Sequence, residues 1–114
     1  MIEKTSFGSM TIDGRTYTSD LIIFPDGHVE DQWRRASGHK LAVSDIEDLI
    51  TREPSVLIVG MGVYGRMKPD SELKNLLADR DIEVLAARTK TAAGQYNAVS
   101  QKRAGVAACF HLTC

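Results

Sequence analysis

The sequence predicts an α/β domain in which helices pack on a central sheet and an antiparallel ribbon lies at the N-terminus. Short strand-like runs separated by turn residues fill the first third, and helical and strand patterns alternate through the rest. The chain has 114 residues, of which 43% are hydrophobic. This length is enough for one hydrophobic core but would make a second core marginal. We therefore expect a single domain spanning residues 1–114.

Two turn signals organise the N-terminal third. Asp13-Gly14 supplies the positive φ angles of a tight hairpin, and Pro25-Asp26-Gly27 combines a preset φ with a left-handed position. The strands predicted around these turns are Ser9–Ile12, Arg15–Thr18, Leu21–Phe24 and His28–Glu30. The polar residues 31–40 predict no regular element, and Trp33 within them is expected in the core.

The remaining residues alternate between helix and strand. A capping-box pattern of Ser44 with Glu47 predicts a helix that ends at Arg52, before Pro54. A second helix is predicted from Pro69 through Leu77, and a third from Thr89 or Thr91 to Lys102. The predicted strands of this part are Ser55–Val59, Ile82–Ala86 and Val106–Leu112.

Composition excludes several classes of function. The net charge is −1 with acidic and basic residues interleaved, which argues against a nucleic-acid-binding surface. Apolar runs such as Val56–Val59 are far shorter than a membrane span, so no membrane insertion is expected. The N-terminal residues lack a secretion signal. Cys109 and Cys114 are too close together in sequence for a disulfide between them to stabilise the fold. We expect a cytoplasmic protein with free thiols.

The stretch SVLIVGMGVYG contains three glycines in the spacing of a dinucleotide-binding turn, at Gly60, Gly62 and Gly65. Three residues, Arg66 to Lys68, lie between Gly65 and Pro69, so the next helix begins later than in that motif. The following strand also lacks the acidic residue that the motif has at the strand's end. A nucleotide is therefore the minor interpretation. The glycines either permit a sharp exit from a buried strand or line a cavity at the carboxyl ends of the strands.

The C-terminal strand carries the second candidate constellation. Alternation places Cys109, His111 and Thr113 on one side and Phe110 with Leu112 on the other. A Cys/His pair suggests nucleophilic or metal chemistry, but the segment holds no acid and the spacing matches no zinc pattern. We predict a buried, hydrogen-bonded His111 beside a packed Cys109, with no catalytic residue, no metal and no cofactor; thiol chemistry at Cys114 is a weaker idea.

Five features together resemble the Mth-type domain family of small uncharacterised proteins, which includes the adipogenesis-associated Mth-domain protein and a mitochondrial assembly factor for respiratory complex I. They are the FGSMTIDG ribbon, Gly38-His39, the IVGMGVYG turn, Gln95-Tyr96-Asn97 and the terminal HLTC. The resemblance covers essentially the whole chain. It implies a compact three-layer α/β fold with a central mixed sheet, and it implies no established reaction.

Two functions remain open at this point, and the oligomeric state is not predicted. The leading hypothesis is a non-enzymatic module that binds a protein partner, as in the assembly of a larger complex. The alternative is a small-molecule or nucleotide site at the Gly60–Gly65 loop. Its predicted lining is Gly38, His39, Gly60, Met61, Gly62, Tyr64, Gly65, His111, Thr113 and Cys114.

Overall fold

A mixed five-stranded sheet lies at the centre of the computed structural model, which describes residues 1–114. The strands in chain order are β1 (Ile2–Ser6), β2 (Ser9–Ile12), β3 (Arg15–Tyr17), β4 (Leu21–Ile23), β5 (Val29–Glu30), β6 (Lys40–Leu41), β7 (Val56–Met61), β8 (Lys68–Pro69), β9 (Glu83–Ala87) and β10 (Val106–His111). The helices are α1 (Glu47–Thr51), α2 (Ser71–Asp79) and α3 (Thr89–Lys102). The central sheet has the order β5-β4-β10-β7-β9.

The C-terminal strand β10 is the middle strand of this sheet. It runs parallel to β7, with Val106 opposite Val56 and His111 opposite Met61, and antiparallel to β4. Strand β9 runs parallel to β7 on the other side. The carboxyl ends of β7, β9 and β10 therefore lie at the same end of the sheet, where His111 and the glycine segment are found.

Two apolar clusters fill the two sides of the sheet and define three layers. Cluster one packs the ribbon and α3 against the side of β10 that carries Phe110. Cluster two packs α1 and α2 against the side that carries Cys109. The layered α/β fold and the mixed sheet implied by the family resemblance are thus confirmed.

The N-terminal ribbon is a separate antiparallel sheet, β1-β2-β3. Asp13 and Gly14 have φ of 49° and 82°, as their hairpin signal predicted. The Asn97 side chain ties α3 to β1, because it both accepts from the Ile2 N–H and donates to the Ile2 carbonyl at 2.8 Å. Strand β1 was not predicted, since its exposed polar residues mask the alternation.

Two helix starts differ from the sequence prediction. Ser44 does not cap α1; a 3-10 turn spans Val43–Asp45, and the Asp45 carboxylate accepts the Ala42 N–H at 2.8 Å. Pro69 lies in β8, paired with β6, instead of in the first turn of α2. Asp70 caps α2 by accepting the Leu73 N–H at 2.8 Å. Of these two helices, only α2 is capped by a side chain.

None of the helices is long and apolar enough to cross a membrane.

Candidate functional site

Three charged or polar side chains meet at the carboxyl end of β10, and we call Asp20, Arg35 and His111 the His111 cluster. Asp20 Oδ2 lies 2.8 Å from His111 Nδ1 and 2.9 Å from Arg35 Nη1. The Arg35 side chain is 5% exposed and that of His111 is 9% exposed. The guanidinium also stacks over Trp33, 4.7 Å from the ring centroid. The cluster therefore joins β10 to two loops that are distant in sequence.

The Asp20 carboxylate is held in its charged form. Burial alone would raise its pKa, but hydrogen bonds from the Leu112 N–H, His111 and Arg35 outweigh burial and lower the pKa below its ordinary value. Its second oxygen, Oδ1, accepts the Leu112 N–H at 2.8 Å. Each oxygen of this one carboxylate thus has a buried donor, and the loop before β4 becomes attached to the end of β10.

The short contact with Asp20 determines which nitrogen of His111 carries hydrogen. A carboxylate only accepts hydrogen bonds, so Nδ1 must donate its N–H to Oδ2. Arg35 Nη2, 3.1 Å from Nδ1, instead donates to the Gly38 carbonyl at 3.1 Å. His111 Nε2 is buried and has no hydrogen-bond partner. An Asp-oriented imidazole resembles part of a hydrolase triad, but here Nε2 meets neither a nucleophile nor solvent.

The pH dependence of stability is expected to report the Asp20 carboxylate. Because its folded pKa is lowered, its contribution is complete above the unfolded value of about 3.9 and is lost as pH falls through the folded pKa. Urea unfolding of the wild type and Asp20→Asn should therefore show a difference that is constant near neutral pH and shrinks below about pH 4. A difference that is unchanged down to about pH 3 would contradict this assignment.

The glycine segment packs against the backbone of β10 and the residues that follow it. Thr89 is 3% exposed; its hydroxyl donates to the His111 carbonyl at 2.6 Å and accepts the Gly62 N–H at 3.0 Å. Val63 N–H donates to the Thr113 carbonyl at 2.7 Å. Gly60 and Met61 belong to β7 and not to a turn, because β10 pairs with both of them. The exit from the strand begins at Gly62.

The proposed lining residues divide into those that meet and those that do not. Gly62, His111, Thr113 and Cys114 come together: a Cβ on Gly62 would lie 2.7 Å from His111 Cδ2, 2.8 Å from the Thr113 carbonyl oxygen and 3.2 Å from that of Cys114. Gly38 reaches the cluster only through its carbonyl. The remaining members are distributed as follows: Gly60 faces Phe110 and Thr89, Met61 lies on the other face, Gly65 packs on Arg88, and His39 and Tyr64 are exposed.

The buried environment of His111 and Cys109 agrees with the sequence prediction. Cys109 is fully buried, and burial raises the pKa of its thiol to about 12. Cys114 is partly exposed and forms no disulfide. No group of three or more His, Cys, Asp or Glu side chains is arranged to hold a metal ion. Asp20 and Arg35 were missed in the sequence because neither belongs to a periodic element.

A second surface lies at the open edge of the central sheet, and we call it the β9 groove. It has a volume of about 520 Å³ and is lined largely by apolar side chains. Met61 and Leu77 contribute from β7 and α2, while Val84 and Ala86 contribute from β9 itself. Lys68 and Lys74 are the only charged residues in its lining. No other strand pairs with the outer side of β9.

These features define a small three-layer α/β domain with a buried polar cluster and an open sheet edge. The chain belongs to the family described as "Protein of unknown function (DUF498/DUF598)", whose pattern matches residues 2–111.

Solved structures share this fold over essentially the whole chain. A conserved hypothetical protein of Pyrococcus horikoshii OT3, PH1505, is 30% identical with a TM-score of 0.88, and the match covers 100% of this chain and 99% of that one. The protein MT938 is also 30% identical, with a TM-score of 0.81 and coverage of 100% and 98%. Their similarity confirms the resemblance to the Mth-type family.

A more distant relative extends the fold comparison. A Bordetella pertussis protein described as a Mth938-like domain is 17% identical with a TM-score of 0.71, and the match covers 98% of this chain and 85% of that one. This similarity concerns the fold alone.

Proposed function

We propose that this protein is a non-enzymatic interaction module that binds an extended segment of a partner protein along β9. The observation that carries the proposal is that β9 presents free backbone groups and an apolar groove on the same residues. Such strand addition gives affinity through backbone hydrogen bonds and specificity through pockets for alternate side chains.

Every second residue of β9 directs its backbone N–H and C=O groups away from the sheet. The Glu83 N–H donates to the Ser55 carbonyl at 3.1 Å. The backbone N–H and C=O groups of Glu83, Leu85 and Ala87 therefore point towards β7. The N–H and C=O groups of Val84 and Ala86 therefore point away from the sheet. Both of these residues also line the β9 groove. An added strand would pair with their backbone while its side chains enter the groove.

The edge also lacks the usual protection of an unpaired strand. Natural edges carry inward-pointing charges, proline or a bulge that prevent accidental pairing. In β9 the four residues after Glu83 are apolar, and Glu83 is engaged by Arg103 Nη1 at 2.8 Å. An unprotected apolar edge favours a binding role for this strand.

In this proposed function the His111 cluster has a structural role. Its imidazole is oriented by Asp20, but His111 Nε2 is closed to solvent and has no hydroxyl or thiol beside it. Complex assembly, the role of one member of the resembled family, is the context we propose for partner binding. The buried Cys109 and unbridged Cys114 suit a reducing compartment, for which we propose the cytoplasm.

Ala86→Pro is expected to abolish partner binding without unfolding the domain. Proline removes the outward N–H of residue 86 and is tolerated on a sheet edge because that N–H serves no ladder bond. A photoreactive side chain placed at Ala78, an exposed residue of the β9 groove, should cross-link a partner in the native cell. The same adduct should disappear in the Ala86→Pro background.

The control places the photoreactive side chain at Ala98, which is exposed on α3. An adduct that forms equally from Ala98, or that survives Ala86→Pro, would contradict docking on β9. Circular dichroism of each variant checks that the fold is retained.

A second candidate, small-molecule binding near the Gly60–Gly65 loop, is favoured by one other groove. This groove measures about 370 Å³ and is lined by Val63, Phe7 and the cations Arg88 and Lys90, with no acidic residue. An anionic metabolite or nucleotide suits this lining. A thermal-shift screen with such compounds tests it, and Arg88→Ala should remove any shift.

A further inference from the structure

Building on the proposed docking along β9, we infer that the partner segment is an extended strand that carries apolar side chains together with carboxylates. Docking alone would accept any extended chain, because backbone hydrogen bonds are independent of sequence. The lining of the β9 groove narrows the partner to one chemical class.

The charge of the groove is of one sign. Lys68 and Lys74 are both exposed, and neither forms an ion pair within the molecule. No acidic residue belongs to the lining, although the whole chain is slightly acidic at −1. Two free ammonium groups beside an apolar surface select a segment with carboxylates on its groove-facing side.

The middle of the groove selects apolar side chains. Ile82 and Leu77 are almost fully buried, while Val84 is half-buried and Ala86 is exposed. The surface above Val84 and Ala86 is therefore unfilled. Side chains two residues apart on an added strand have the same spacing as Val84 and Ala86, about 6.7 Å.

The same charges disfavour a second copy of this chain as the occupant. A second copy adding its own β9 to this edge would have to supply carboxylates to Lys68 and Lys74. The segment on β9 itself, Glu83–Ala87, has one acid, and that acid is already paired with Arg103. The two lysines would then have no carboxylate partner.

The probe is the capped peptide Glu-Thr-Val-Thr-Leu-Thr-Glu, whose alternate residues place Val and Leu between two carboxylates on one face. Its charge-reversed counterpart has Lys at both ends. Titration into the full chain by isothermal calorimetry should show the Glu peptide binding at least about fivefold more tightly than the Lys peptide at low salt.

The matched variant Lys68→Glu/Lys74→Glu should invert that preference, so that the Lys peptide binds more tightly. Ala86→Pro should remove binding of both peptides. A Glu peptide that does not bind, or an equal affinity for both peptides, overturns the inferred partner chemistry. In either case docking on β9 is judged separately by the cross-link from Ala78. Binding that Ala86→Pro leaves intact overturns both.

Discussion

Asp20→Ala is expected to lower the free energy of unfolding by about 3–5 kcal/mol, because it leaves a buried cation without its counterion. The Arg35 side chain is 5% exposed, and Asp20 is its carboxylate partner. The His111 Nδ1–H and the Leu112 N–H would lose their acceptors at the same time. Urea unfolding at neutral pH measures the loss.

Two controls separate the buried charge from the loss of an ordinary hydrogen bond. Asp26→Ala removes an exposed turn carboxylate that accepts the His28 N–H, and it should cost about 1 kcal/mol or less. Asp20→Asn combined with Arg35→Met removes both charges and should cost less than the sum of the single losses. A loss of under about 1 kcal/mol for Asp20→Ala would show that water enters and solvates Arg35.

The same cluster shows why part of the site could not be predicted. His111 lies in a strongly apolar strand, so its burial and its need for a partner follow from the pattern around it. Its partner Asp20 precedes β4 by one residue, and Arg35 lies in a segment with no regular element. Neither position has a periodic signal, and the pairing depends on long-range packing that a single sequence does not encode locally.

The fold was predictable where local chemistry and tertiary packing agree. Asp13-Gly14 adopts the hairpin its φ preferences demand, and α3 ends at Lys102 as predicted. Prediction failed at Pro69, because the rule for a first helical turn was outweighed by pairing between β8 and β6. The mixed sheet came from the family resemblance, since the order of helices and strands alone favours parallel strands.

The glycine spacing has a packing explanation at its first two positions. A Cβ on Gly60 would collide with Cδ1 of Phe110, a ring that is fully buried in cluster one. At Gly62 the neighbours are His111 and the Thr113 backbone, and φ is +97°. These requirements account for glycine at both positions without a bound phosphate. The motif therefore marks close contact between β7 and β10.

Gly62→Ala is expected to lower the free energy of unfolding by about 2–5 kcal/mol, combining backbone strain with steric overlap. A φ of +97° is unfavourable for any L side chain, and the new Cβ would lie 2.8 Å from the Thr113 carbonyl oxygen. The neighbours cannot easily withdraw, because Val63 N–H and the Asp20 carboxylate hold residues 112–113 in place. Denaturant unfolding gives the magnitude, and the histidine NMR signals should report a displaced His111 ring.

Gly14→Ala isolates the backbone strain, and Gly94→Ala is a control with neither strain nor steric overlap. Gly14 has φ of +82° with nothing within 4 Å, so its alanine variant carries the backbone strain alone and should cost about 1 kcal/mol. Gly94 lies in α3 with open space around it, and alanine there should stabilise by about 0.5–1 kcal/mol. If Gly62→Ala costs no more than Gly14→Ala, residues 112–114 move aside without loss. The contact between β7 and β10 would then not be what requires glycine at position 62.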